Sequence, residues 1–367
     1  MNYFLIIFIP TALYLLSEIL PRKSNIFKRI AIGFLIIMTS LRYGFGADFF
    51  TYNAAFDRIR DGISLDAFEP GYIFLNKFIS YLGLPFNYLL LVVAIFNYVL
   101  LYKAIEENLT KHKWLAMFLF LAYFDLFFYS LSAIRQSIAL SVFMFASRYV
   151  KRKQLIKYVL WIYFASLFHV TALILIPFYF FYNKFSKSSF SKLSFVMGGC
   201  ILSYVFLIKY IDLLRPLMNT RIEYYVFIET SNGMHSSILY AVITGLLLLC
   251  WLFIITKLKN RPNIGATVGE KTEQKIGIPM MAMAVFLTLK VMQYMNYFSI
   301  MPRLEMYFYC FYIFAIPTAL QAFEINSRRV LAGILVCCMI FFFILSYNQI
   351  TEYAYEFYST YKLIIFN

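Results

Sequence analysis

Apolar runs recur along almost the whole chain, at residues 3–20, 29–43, 85–104, 114–130, 131–150, 155–168, 170–183, 193–211, 236–256, 278–298, 304–322 and 330–347. A helix needs roughly 20 apolar residues to cross a bilayer, and fewer where it is short or broken. The 367 residues are 62% hydrophobic and only 14% charged. A soluble domain carries roughly 25% charge, so this chain cannot fold around a single aqueous core. The expectation is an all-α, polytopic transmembrane protein with about twelve membrane segments. Residues 1–367 are read as one integral membrane domain, because no polar stretch exceeds about 25 residues. The run from Tyr3 to Leu20 lacks a cleavable-signal pattern and is long enough to stay as a span.

The net charge of +15 does not point to nucleic acid. The basic residues cluster between apolar runs, in 21–29, 103–113, 151–157, 183–192, 257–262 and 326–329. Cytoplasmic loops of membrane proteins carry such clusters, and placing all of them inside puts the amino terminus outside. That arrangement requires the apolar stretch 158–182 to be a hairpin bent at His169. The outer side then carries a loop at 44–84, whose segment 68–83 reads as an amphipathic helix. A second outer loop spans 212–235, and 257–277 is a cytoplasmic loop centred on the polar stretch 260–275. The five cysteines sit inside apolar runs without CxxC spacing, which argues against disulfides and metal binding. No cofactor and no metal is expected.

Under this topology Arg42, Asp48, Glu69, Arg135, His169, Arg303 and Glu305 all fall near the outer ends of their segments. Charge at membrane depth is costly, so it normally faces a cavity or a partner. Three arginines at one depth suit an anionic ligand, because guanidinium grips phosphate through paired hydrogen bonds. Asp48 and His169 are the candidate bases. The glycines of "RYGFGAD" allow a tight turn and a close backbone approach. Each residue also has a purely structural role open to it. Arg42 could snorkel to the interface, Asp48 or Glu69 could open a helix, Arg135 could form a buried ion pair, and His169 could be a core imidazole. Arg303 and Tyr307 share a helix face. Tyr43, Tyr52 and Tyr72 are candidates for stacking on sugar rings. Lys290, near mid-span, is the residue that best suits a transporter.

Four stretches resemble the EpsG family of Wzy-type polysaccharide polymerases. These are "LRYGFGADFFTY" with "FEPGYIFLNKFIS" downstream, "SAIRQSIALSVFMFA", "ASLFHVTALILIPFY" and "MPRLEMYFYCFYIFAIP". They follow one another in the family's order between residues 41 and about 317. Phe49 stands where the family pattern has a small hydroxyl residue, with Thr51 two positions on.

The resemblance implies a fold like that of the C-class, lipid-linked glycosyltransferases. It also implies an enzyme that joins oligosaccharide repeat units carried on undecaprenyl diphosphate, at the outer face of the bacterial cytoplasmic membrane. Its partners would then be that lipid-linked oligosaccharide, membrane lipids, a chain-length regulator and a flippase. In this reading Arg42, Arg135 and Arg303 hold the diphosphate. His169 acts as base, with Asp48 as its orienter or as a sugar ligand. Glu69, Tyr52, Tyr72, Gln136, Glu305 and Tyr307 contact substrate. The alternatives at this stage are a flippase or transporter of lipid-linked glycans, a glycan ligase, a membrane acyltransferase and a structural subunit of a synthase.

Overall fold

The structure is a computed structural model that describes residues 3–63, 68–210, 238–259, 276–295, 301–321, 323–353 and 362–363. The expected loops at 212–235 and 260–275 lie outside the described residues. Among those described, regular structure is helical apart from one antiparallel pairing, Arg42 with Leu363 and Tyr43 with Lys362. The fold is that of an all-α membrane protein. The helices before the middle of the chain are α1 (Tyr3–Ile19), α2 (Ser24–Ser40), α3 (Phe49–Arg60), α4 (Pro70–Tyr81), α5 (Phe86–Asn108) and α6 (Lys113–Ala122). They continue as α7 (Phe124–Ser132), α8 (Ile134–Lys151), α9 (Leu155–Ser166), α10 (Ile176–Phe185) and α11 (Phe190–Lys209). The remainder are α12 (Ile238–Lys259), α13 (Ile278–Met295), α14 (Met301–Tyr309), α15 (Tyr312–Leu320) and α16 (Ile325–Tyr353).

Among the described residues, five helices are long and apolar enough to cross a membrane: Phe86–Asn108, Phe190–Leu207, Leu239–Leu258, Ile278–Met295 and Ile325–Leu345. The pair Lys113–Ala122 and Leu126–Ser132, bent by 58°, adds a sixth if it counts as one broken span. About twelve segments were expected. The difference arises where apolar runs break up or carry charge. The run 114–130 breaks at Tyr123, and the run 304–322 breaks between Tyr309 and Tyr312. Helix α8 holds Arg135, Arg148 and Lys151 within its 18 residues.

The chain divides into two compact units, Met1–Tyr179 with Glu324–Asn367, and Phe180–Phe323. In the first, α5 packs between α2 and α8, α1 lies against α2 and α6, and α16 touches α6 and α7. Helix α5 has apolar residues on all sides, buried where it meets α2 and α8 and exposed at Tyr88, Val92 and Ile95, as suits a membrane helix. Asn97 of α5 donates to the Ser137 hydroxyl of α8 at 2.9 Å, which fixes their register. Helix α9 folds back on α8, and the chain reverses again at His169. The Tyr158 hydroxyl donates to the Leu175 carbonyl at 2.6 Å, and the Tyr158 ring meets Tyr179 at 5.8 Å. That antiparallel return is the hairpin expected from the loop charges.

Charge in the first unit gathers at two ends. At one end Glu106 pairs with Lys28 at 2.9 Å and Lys113 at 2.7 Å, and Arg152 pairs with Glu107 at 2.9 Å. There Glu18 also accepts from the opening amides of α6, at His112, Lys113 and Trp114. Arg135 marks the other end of α8. Helical rise separates Arg135 from Arg152 by about 25 Å, close to the thickness of a hydrocarbon layer.

In the second unit, α13 is the hub and touches α11, α12, α14 and α15. The Trp251 indole of α12 donates to the Met280 carbonyl at 2.9 Å.

Candidate functional site

The stretch "RYGFGAD" forms the turn that leaves α2. Gly44 (φ +63°) and Gly46 (φ +103°) adopt backbone angles that other residues rarely take. A side chain on Gly46 would lie 2.8 Å from the Ser132 hydroxyl, so α7 packs directly on this backbone. Phe45 is buried against Phe128, with ring centres 5.4 Å apart. Arg42 is buried, and its guanidinium donates to the Thr39 carbonyl at 2.6 Å and the Leu131 carbonyl at 2.9 Å. It thereby satisfies carbonyls left over at the ends of α2 and α7. The structure gives Arg42 a tethering role rather than an open anion-binding one.

Asp48 stands at the N-cap of α3 but makes no capping bond. It is exposed at the surface. Partial burial of its carboxyl still raises its pKa, against the opposing pull of the Arg135 charge. Asp48 therefore belongs to the electrostatic surroundings of Arg135.

Glu69 is where the chain brings the expected residues together. Pro70 opens α4 as a residue without an amide hydrogen, a favoured first helical position. Glu69 occupies the N-cap with extended backbone and again makes no capping bond. The Gly71 amide, which an N-cap side chain would usually satisfy, donates instead to the Leu167 carbonyl at 2.8 Å. The carboxylate is thus left to face Arg135 and His169. Arg135 Nη1 donates to Glu69 Oε2. The other oxygen, Oε1, lies 3.5 Å from His169 Nδ1 and 3.4 Å from the Val170 amide. Burial alone would raise the Glu69 pKa, but the imidazole and the guanidinium outweigh it and hold the carboxyl at about 2. Both ring nitrogens of His169 are buried and without a hydrogen-bond partner among the described residues.

Aromatic side chains wall the guanidinium. Arg135 lies over the Phe68 ring at 4.7 Å, a cation–π contact. The Tyr52 hydroxyl hydrogen-bonds the same guanidinium. Tyr52 and Tyr72 are buried, pack edge-to-face at 5.5 Å and both touch Phe68. Both are buried, so they line Arg135 without an exposed ring face. Gln136, next to Arg135, is buried and accepts from the Tyr129 hydroxyl at 2.6 Å.

The remaining expected residues belong to the second unit. Glu305 is buried and pairs with Lys290 at 3.0 Å, and Lys290 also donates to Gln293 at 2.7 Å. The mid-span lysine that suited a transporter is therefore a partnered charge. Tyr307 is fully buried, and Arg303, four residues earlier on α14, is partly exposed.

Sequence reading missed Phe68 and the Gly71–Leu167 contact. The signal for both lay in "FEPGY": an aromatic before the carboxylate, and a glycine where any helix-forming residue would serve. Among the described residues no group of three His, Cys, Asp or Glu is placed to hold a metal ion.

The sequence matches the family model described as "EpsG family" over residues 25–363. The chain belongs to the EpsG family. That family is associated with Wzy-type polysaccharide polymerases, and the match spans every site residue named above. Membership gives this EpsG protein a polysaccharide polymerase role at the coarse level of glycosyl transfer. No curated protein and no solved structure matches it.

Proposed function

We propose that this EpsG protein joins oligosaccharide repeat units carried on undecaprenyl diphosphate, with a site built on Arg135, Glu69 and His169. The observation that carries the reading is the buried His169 imidazole. Nδ1 lies 3.5 Å from a carboxylate oxygen, and neither ring nitrogen has a hydrogen-bond partner among the described residues, which leaves Nε2 open to a proton. A base needs that arrangement: one face oriented by an anion, the other left for the proton it accepts. Glu69, rather than Asp48, fills the orienting role.

The reaction follows from these positions. An acceptor hydroxyl gives its proton to His169 Nε2, and its oxygen bonds to the anomeric carbon of the growing chain. The bond from that carbon to the lipid diphosphate breaks, and the diphosphate leaves with the electron pair. Glu69 stabilises the imidazolium that forms. Arg135 uses one N–H on Glu69 and has others with which to meet the diphosphate as its negative charge grows. Asp48 binds sugar hydroxyls beside Arg135 in this reading. The chemistry needs no nucleotide sugar and no metal. The proposal includes a fold of the C-class glycosyltransferase kind, with the site on the outer side of the cytoplasmic membrane.

The test uses purified protein in lipid nanodiscs, given the lipid-linked repeat unit extracted from a host strain that lacks this protein. Wild type should produce a ladder of polymer lengths. Arg135→Gln and His169→Ala should each abolish it while leaving the protein folded. Normal ladders from both variants would rule out the site. A single transfer product without a ladder would identify a ligase, and movement of the lipid across the bilayer without bond formation would identify a flippase.

A further inference from the structure

Helix α4 and the histidine turn meet through backbone atoms. The Gly71 amide donates to the Leu167 carbonyl at 2.8 Å. A Cβ at residue 71 would stand 2.7 Å from that carbonyl oxygen, 2.9 Å from the Leu167 Cβ and 3.0 Å from its carbonyl carbon. The two nearest backbone atoms cannot swing aside as the end of a flexible side chain can. Only glycine permits the approach.

The consequences run in both directions along the chain. Glu69 lies two residues before the contact and His169 two residues after it. The Val170 amide, donating to Glu69 Oε1 at 3.4 Å, closes the same loop from the far side. The backbone contact also occupies the helix amide that would otherwise compete for the Glu69 carboxylate. We infer that Gly71 is a positioning residue, whose lack of a side chain seats the 167–169 turn against α4 and so sets His169 on Glu69. The inference rests on the reading of His169 as the base.

Gly71→Ala should push the turn away by a fraction of an ångström to about 1 Å. A displacement of that size costs roughly 10²-fold in rate. In the nanodisc assay with the extracted lipid-linked repeat unit, kcat should fall by roughly that factor with KM little changed. Gly33→Ala is the control, since nothing lies within 4 Å of the added carbon and its activity should be that of wild type. Adding Leu167→Ala should not restore Gly71→Ala, because the nearest obstacle is main chain.

Wild-type kcat in Gly71→Ala, alongside an inactive His169→Ala, would overturn the inference and leave the proposed function standing. Rescue by Leu167→Ala would overturn it too. An active His169→Ala would instead remove the reading on which it rests. If Gly71→Ala does not fold, hydrogen exchange in Glu69→Gln replaces it. The peptides covering 68–76 and 164–172 should then gain exchange together, and a rise in only one of them would break the proposed link.

Discussion

Arg135 is held by one carboxylate, one phenol and one aromatic face, the carboxylate and the aromatic face from neighbouring residues Glu69 and Phe68 and the phenol from Tyr52. A guanidinium so placed is costly to strip of its partner, because the charge left behind is partly buried. Glu69→Gln should therefore lower turnover, by up to the roughly 10²–10⁴-fold that a positioned general base contributes. The pH dependence has a definite sign. The Glu69 carboxyl sits at about 2 in the folded protein, below the ordinary glutamate value of about 4.3. Its contribution to stability is complete above that ordinary value and is lost as the pH falls through about 2. Thermal unfolding of wild type and Glu69→Gln should accordingly differ by a constant amount from neutral pH down to about 4.3, and converge below it. Asp48, which touches the site only through the field of Arg135, should behave differently. Asp48→Asn should raise KM more than it lowers kcat, as steady-state kinetics would show.

The turn between α2 and α3 is an element with a structural duty. Its arginine ties two helix ends together, and its glycine lets α7 approach. Arg42→Gln should cost about 1–3 kcal/mol, the penalty for leaving buried carbonyls without donors. Gly46→Ala should destabilise by a similar amount, since it combines a left-handed backbone with a clash at Ser132. Both are checked by the melting temperature of the purified protein, and both should lower it with kcat per folded molecule nearly unchanged. The turn also shows what a sequence can and cannot convey. "RYGFGAD" announced a tight turn on two glycines, and Gly44 and Gly46 indeed have positive φ. It did not announce that Arg42 would point at carbonyls, because a guanidinium binds carbonyl oxygen and phosphate with the same donors. "FEPGY" announced a helix start, and α4 begins at Pro70. Whether the preceding carboxylate caps the helix or serves a distant histidine depends on where Leu167 falls, 96 residues along. Local spacing carries no trace of that.

At the scale of the molecule, the division of charge between the two ends of α8 was readable from loop composition. The hairpin at His169 followed from the same rule. The number of spans was less readable, because an apolar run does not reveal where it will bend. The 58° break near Tyr123 is the example. Orientation is open to a direct check in a cysteine-free background. A thiol reagent that cannot cross the membrane should label Tyr81→Cys in intact cells, and should label Lys153→Cys only after permeabilisation. The reverse pattern would place the histidine turn in the cytosol. Helix α4 carries one more consequence. Its buried side holds Tyr72, Asn76 and Ile79, while Phe74, Phe78 and Tyr81 point outward at 70%, 50% and 88% exposure. Among the described residues, no protein covers that side of the helix. A helix uncovered along one face is free to rock about its packed one, and any such motion carries the Glu69 carboxylate toward or away from the imidazole.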